Sequence, residues 1–197
     1  MYYFAANIIK IFLRMFGKIS VYNKRALPTQ GPYVIACTHT GWVDIFYLGI
    51  TLLPSKIHYM AKKQLFEIKW LAWLLNKLNA FPVDRDNPGP SVLKIPNRLL
   101  SKGEIVGIFP SGTRTNEQIA LKQGAITIAQ RSEVPIIPVV YIGPNTLKEL
   151  FARKKAYLIF GEAIHITSKD KEARAYYTGV LEQTLKQLEE EIHQKTK

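Results

Sequence analysis

The sequence predicts an α/β domain whose central sheet, largely parallel or mixed, is flanked by helices. Three observations predict it. Short apolar runs of strand length alternate with segments of helical period, and Gly, Pro or Asn stands at the junctions. The 197 residues are also 47% hydrophobic, enough for one full core. The expected division is an amphipathic N-terminal segment over residues 1–25 and a single domain over 26–197.

Residues 1–20 predict a helix in which Asn7, Lys10, Arg14 and Lys18 form one narrow polar stripe among residues such as Phe12 and Phe16. The charges interrupt the apolar run, which disfavours both a signal peptide and a membrane-spanning helix. Two readings remain: a helix lying in a membrane interface with its cations at the headgroups, or one packed on the domain. Tyr33–Cys37 follows Gly31-Pro32 and predicts a buried strand, with a helix from Val43 to Leu53. Over 62–78, Lys62, Lys63, Lys69 and Lys77 surround an apolar stretch holding Trp70 and Trp73, which suits a headgroup boundary or a core helix with snorkelling lysines.

Asn79–Val83 predicts a strand, and Asp84-Arg85-Asp86 and a Pro/Gly-rich loop follow it. A helix is expected from Ser91 to Lys102, kinked or interrupted by Pro96 and ended by Gly103. Ile105–Phe109 reads as a strand, 122–132 as a helix and Val134–Tyr141 as a strand whose prolines predict an edge position or a bulge. Strands at Ala156–Phe160 and Ala163–Ile166 and a helix over 168–193 complete the order.

The formal charge of +12 implies an anionic partner, and its excess lies early: residues 1–83 hold ten Lys/Arg against two acids, and 84–197 hold seventeen against thirteen. The aromatics occupy apolar faces and do not interleave with an exposed basic strand, which disfavours nucleic acid and leaves a membrane surface or an acidic substrate. The lone Cys37 excludes an internal disulfide framework, fits a reducing compartment and reads as a small buried residue. The four histidines are scattered without ligand spacing, so no metal is expected.

The candidate chemistry sits after predicted strands. His39 stands five residues before Asp44, on the turn between a strand and a helix. A neutral imidazole there takes a proton on one nitrogen if a carboxylate holds the other; alternatively Asp44 only caps or charges the helix start. Arg85 follows the strand ending at Val83, and Ser111, Gly112, Thr113 and Arg114 follow the strand ending at Phe109. Ligands of open α/β sheets collect at the carboxyl ends of strands, so these groups are candidates for one crevice. A His–Asp base beside arginine forks and a glycine-containing turn suits a substrate with a hydroxyl and a phosphate; Arg85 paired only with Asp84 or Asp86 is the plainer alternative.

Four ordered blocks carry a resemblance: His39-Thr40-Gly41-Trp42-Val43-Asp44, Ala80-Phe81-Pro82-Val83-Asp84-Arg85, Phe109-Pro110-Ser111-Gly112-Thr113-Arg114, and Val134-Pro135-Ile136-Ile137-Pro138-Val139. In these the chain resembles the glycerolipid acyltransferase family, in particular its lysophosphatidic acid acyltransferases. The resemblance implies that His39 and Asp44 form the catalytic pair and that Arg85, Arg114 and Lys122 hold the acceptor's phosphate. It also implies that Ser111, Gly112 and Thr113 lie at the oxyanion turn, and that Val134, Pro135, Ile136, Ile137 and Pro138 line an acyl path. It further implies an acyl-coenzyme A or acyl-carrier protein co-substrate, no permanently bound cofactor, and a peripheral place on the cytoplasmic face of an anionic bilayer. Ser111 stands where the family usually carries glutamate, so a carboxylate role there does not transfer. Three rival readings are an acyltransferase acting on another lysophospholipid, a serine hydrolase using Ser111, His39 and Asp84, against which the Gly-x-Ser-x-Gly elbow is missing, and a basic membrane-binding module without catalysis.

Overall fold

The structure, a computed structural model, describes residues 2–38, 41–84, 89–110, 115–168 and 170–196; of 115–121 only the helical backbone is described. The order is α1 (Tyr2–Phe16), β1 (Ile19–Tyr22), β2 (Tyr33–Cys37), α2 (Val43–Thr51), β3 (Ile57–Lys62), α3 (Lys69–Lys77), β4 (Phe81–Val83), α4 (Ser91–Leu100), β5 (Ile105–Ile108), α5 (Thr115–Ser132), β6 (Ile136–Ile142), α6 (Leu147–Phe151), β7 (Ala156–Phe160) and α7 (Lys171–Thr196).

The strands form one seven-stranded sheet in the order β1-β7-β6-β2-β5-β3-β4. Every pairing is parallel except that of β6 with β7, so the expected mixed, largely parallel sheet is present. Alternation along β2 shows how the layers arise. Tyr33, Ile35 and Cys37 face one side and pack with α1, α2, α3 and α6, whereas Val34 and Ala36 face the other and pack with α4, α5 and α7. A strand buried on both faces needs no polar positions, and all five residues of β2 are buried.

Several expectations are corrected. The helix expected over 1–20 ends at Phe16, where Gly17 N–H donates back to the Leu13 carbonyl. Residues 19–22 then become β1, paired with β7, so the segment 1–25 is joined to the sheet. Strand β3 and helix α6 were not expected. Residues 62–78 are not one helix, since Lys63–Phe66 form a 3-10 turn ahead of α3. At 163–166 only an isolated bridge at Ile164 is present.

The prolines of the 134–141 run gave two alternatives, and the edge position is excluded because β6 is interior. The pairing shifts instead: Val139 faces Phe160 but Ile136 faces Ile164, so residues 161–163 oppose 137–138. Pro138, with no N–H to donate, sits at this irregularity, and its carbonyl accepts from Gly161 N–H at 2.8 Å.

Of the two readings of α1, packing on the domain is seen directly. Ala6 and Leu13 are buried in the domain, and burying a leucine contributes about 1.5–3 kcal/mol, so the helix is held without any membrane. Its outer face is nonetheless apolar: Phe4 is 69% exposed and Ile11 61%. Among the described residues, every well-exposed large apolar side chain except Tyr176 belongs to α1, the start of α2, the 68–77 segment or α6, which is the layer on one face of the sheet. No described helix is long and apolar enough to cross a membrane.

Candidate active site

Strands β2, β3, β4 and β5 are parallel, so Cys37, Val83 and Ile108 all end at the same edge of the sheet. β2 and β5 are neighbours, yet the helix after β2 covers one face and the helix after β5 covers the other. Adjacent strands whose connections part in this way open a crevice at their carboxyl ends. The residues that follow these strands include His39, Arg85, Ser111, Gly112, Thr113 and Arg114, and all six lie outside the described residues.

Asp44 is described, and its setting is specific. It is fully buried at the start of α2, where its carboxylate accepts from Gly41 N–H at 3.3 Å and Ile45 N–H at 2.7 Å. A carboxylate in a first helical turn meets backbone donors that have no partner within the helix and the positive end of the helix dipole. Asp44 thus charges the first turn of α2, whose N-cap is Trp42, and these two bonds fix its carboxylate there; both the catalytic and the purely structural reading of it need this placement. Asp44 also acts on its neighbours. Burial pushes the Cys37 thiol well above its ordinary value and the Asp44 charge adds to the effect, so this thiol stays protonated and is no nucleophile. The phenols of Tyr59 and Tyr141 are raised first by burial, with smaller contributions that include Asp44. Each donates to a backbone carbonyl, Tyr59 to Ile45 at 2.8 Å and Tyr141 to Pro144 at 3.0 Å.

The turn itself is clamped. Thr38 N–H donates to the Val139 carbonyl, and Thr38 Oγ1 accepts from Tyr141 N–H at 2.9 Å, so β6 holds the end of β2 in register. A Cβ on Gly41 would overlap the carbonyl oxygen of Asn145, which explains glycine in the middle of the first block. Asn145 N–H in turn donates to the Glu149 carboxylate on α6. Tyr59, Tyr141 and Asn145 were missed as supports of the site because each lies far along the chain from Asp44; only Gly41, inside the block, hinted at a close approach.

Beside the crevice lies an apolar cavity of about 150 Å³, lined by Trp42, Ile45, Tyr59, Met60, Ala61, Lys62, Leu65, Leu75, Leu78, Ala80 and Phe109. Phe109, the last described residue but one before the third block's turn, stacks on Tyr59 with ring centroids 5.8 Å apart. The residues expected along the acyl path do not line this cavity. Ile136 and Ile137 have no exposed surface, and with Val134 and Pro138 they are packed into the sheet between the two helical layers, with Pro135 half-buried beside them. Lys122, expected at the acceptor's phosphate, pairs its ammonium with Glu182 of α7 at 2.9 Å, about 10 Å along α5 from the helix start. Of the membrane candidates, Phe12, Trp70 and Trp73 are exposed, Phe16 is half-buried against Phe151, and Lys10, Arg14 and Lys18 line a separate cleft.

A buried carboxylate at the start of the helix that follows the central strand, with an apolar cavity nearby, suits an α/β enzyme acting on an amphiphilic substrate. The acyltransferase family model matches residues 18–142. The chain is 52% identical, over 98% of its length and the whole of the relative, to a 1-acyl-sn-glycerol-3-phosphate acyltransferase of Bacillus subtilis (strain 168). It is 33% identical, over 86% of its length, to a protein of the same name from Streptococcus pneumoniae, of which it spans 64%. The crystal structure of the 1-acyl-sn-glycerophosphate (LPA) acyltransferase PlsC from Thermotoga maritima shares the fold, with a TM-score of 0.69 at 19% identity over 95% of this chain and 79% of that one. The chain belongs to the acyltransferase family.

Proposed function

We propose that the protein transfers a fatty acyl group from an acyl thioester, carried by coenzyme A or acyl-carrier protein, to the free hydroxyl of lysophosphatidate, giving phosphatidate at the cytoplasmic face of a membrane. The observation that carries this reading is the fully buried Asp44, five residues beyond His39 in the sequence, at the start of α2, close to an apolar cavity and to the carboxyl edge of β2, β4 and β5. His39 accepts the proton of the glycerol hydroxyl, and Asp44 stabilises the imidazolium as it forms. The oxygen attacks the thioester carbonyl, backbone N–H groups near Gly112 hold the developing oxyanion, and collapse expels the thiolate, which recovers the proton from His39. No acyl-enzyme forms. Arg85 and Arg114 hold the phosphate. The test offers lysophosphatidate and an acyl thioester to the purified chain; absence of phosphatidate refutes the reading.

The cavity between α2, β3 and α3 receives the acyl chain. Ala61→Leu is expected to lower kcat/KM about tenfold or more for the longest chains and to spare short ones, because each methylene denied burial forfeits about 0.8 kcal/mol. An unchanged chain-length profile would separate this cavity from the acyl group.

The exposed apolar face of α1, continued by Trp70, Trp73 and Phe151, supports a peripheral seat in the bilayer interface. Ile8→Gln with Ile11→Gln is expected to weaken vesicle binding about tenfold or more and to leave the melting temperature unchanged, since both side chains are more than half exposed. Equal vesicle affinity of variant and parent would remove α1 from the interface.

A further inference from the structure

Between the second half of α1, β1 and the end of α2 lies a cleft of about 670 Å³ that acyl transfer leaves unused. Lys10, Arg14, Lys18, Lys24 and Lys155 line it, drawn from α1, the turn after it, the segment beyond β1 and the residue before β7; among the described residues no carboxylate does. Tyr47 stands in the wall. Only 1% of this residue is exposed, and its buried hydroxyl has no hydrogen-bond partner among the described groups. Gly17 makes room for that hydroxyl, because a Cβ there would overlap the phenol oxygen.

Gathered cations repel one another, and an unsatisfied buried hydroxyl costs roughly 1–3 kcal/mol. A bound anion relieves both. Burial raises the Tyr47 phenol, which keeps it a neutral donor. The cleft meets α2 at Tyr47, Ile50 and Thr51, from about one turn to about 10 Å along the helix beyond Asp44, and it shares no lining residue with the apolar cavity beside the crevice. Its α1 cations also flank the exposed apolar residues Ile11, Phe12 and Met15, so an anion carrying a lipid tail can lay that tail on the same face.

We propose that this cleft holds the phosphate of an anionic phospholipid headgroup, apart from the catalytic crevice, and so fixes the depth and orientation of the enzyme on an anionic bilayer. The lipid source of the phosphate rests on the membrane reading above.

The test uses the full chain, phosphatidylcholine vesicles with and without an anionic phospholipid, inorganic phosphate, and turnover on detergent-dispersed substrate. Lys24→Gln with Lys155→Gln is expected to lower affinity for the anionic vesicles about 30-fold, the weight of two lysines at such a surface. Binding to neutral vesicles and turnover in detergent stay at the parent level. Tyr47→Phe, which changes no charge, is expected to lower affinity for anionic vesicles about fivefold without lowering the melting temperature. A control pair on the other face of the sheet, Lys94→Gln with Lys171→Gln, leaves the affinity near that of the parent. If the control pair loses as much and Tyr47→Phe loses nothing, the attraction is diffuse and the site is refuted. Inorganic phosphate that binds as tightly as the vesicles and is lost with the same substitutions overturns the lipid assignment. So does a defect confined to turnover with acidic acyl-carrier protein while vesicle binding is intact, which would make the cleft a protein dock. Failure of the parent to make phosphatidate would refute the catalytic reading and leave the vesicle measurements standing.

Discussion

His39→Ala is expected to reduce phosphatidate formation roughly 10²–10⁴-fold at saturating substrates, with little change in the affinity for lysophosphatidate. A glycerol hydroxyl is a poor nucleophile while it keeps its proton, and water is a weak base in a crevice of apolar walls. The loss therefore falls on the chemical step. Comparable rates for variant and parent, measured by product formation from the same acyl thioester, refute His39 as the base.

Asp44→Asn is expected to cost roughly 10²-fold or more in kcat and, separately, to destabilise the fold. The stability part comes from the loss of charge-assisted hydrogen bonds to Gly41 and Ile45 N–H at a fully buried site, about 1.5–3 kcal/mol, which lowers the melting temperature by several degrees. The amide also turns an NH₂ toward backbone donors that need an acceptor. The pH profile separates catalysis from folding. A carboxylate beside an imidazole favours its protonated form, so removing the charge lowers the pKa of the base and moves the acid limb of kcat/KM to lower pH. If Asp44 serves only as a helix cap, the variant melts earlier but its acid limb does not move.

The parts of the fold visible in the sequence are those whose signal is local. β2, β5 and β7 are continuous apolar runs between turn residues, and α7 repeats its buried Leu181, Leu185, Leu188 and Ile192 at helical spacing. β1 was hidden because Ile19 and Val21 extend the apolar run of α1, although Gly17 is the kind of residue that ends a helix. The interior place of β6 was obscured by Pro135 and Pro138, which an irregularity in the opposite chain segment accommodates. Within the candidate site, the place of Asp44 at a helix start could be read from the local pattern, but the pairing of Lys122 with Glu182 could not, since the two lie sixty residues apart on different helices. The basic cleft was still less legible. Its cations come from four separate stretches of chain, and nothing local marks Tyr47 as the hydroxyl they surround.

An enzyme gathered onto a two-dimensional surface meets copies of itself far more often than one in bulk solution, and exposed strand edges then become points of runaway stacking. β4, the edge strand at one end of the sheet, is three residues long with exposed Pro82 at its centre, where the backbone has no N–H to offer. β1, at the other end, has only four residues and is flanked by Lys18 and Lys24, so an approaching copy meets charge before it meets backbone. Both edges thus resist an added strand, and the sheet stays at seven even under such crowding.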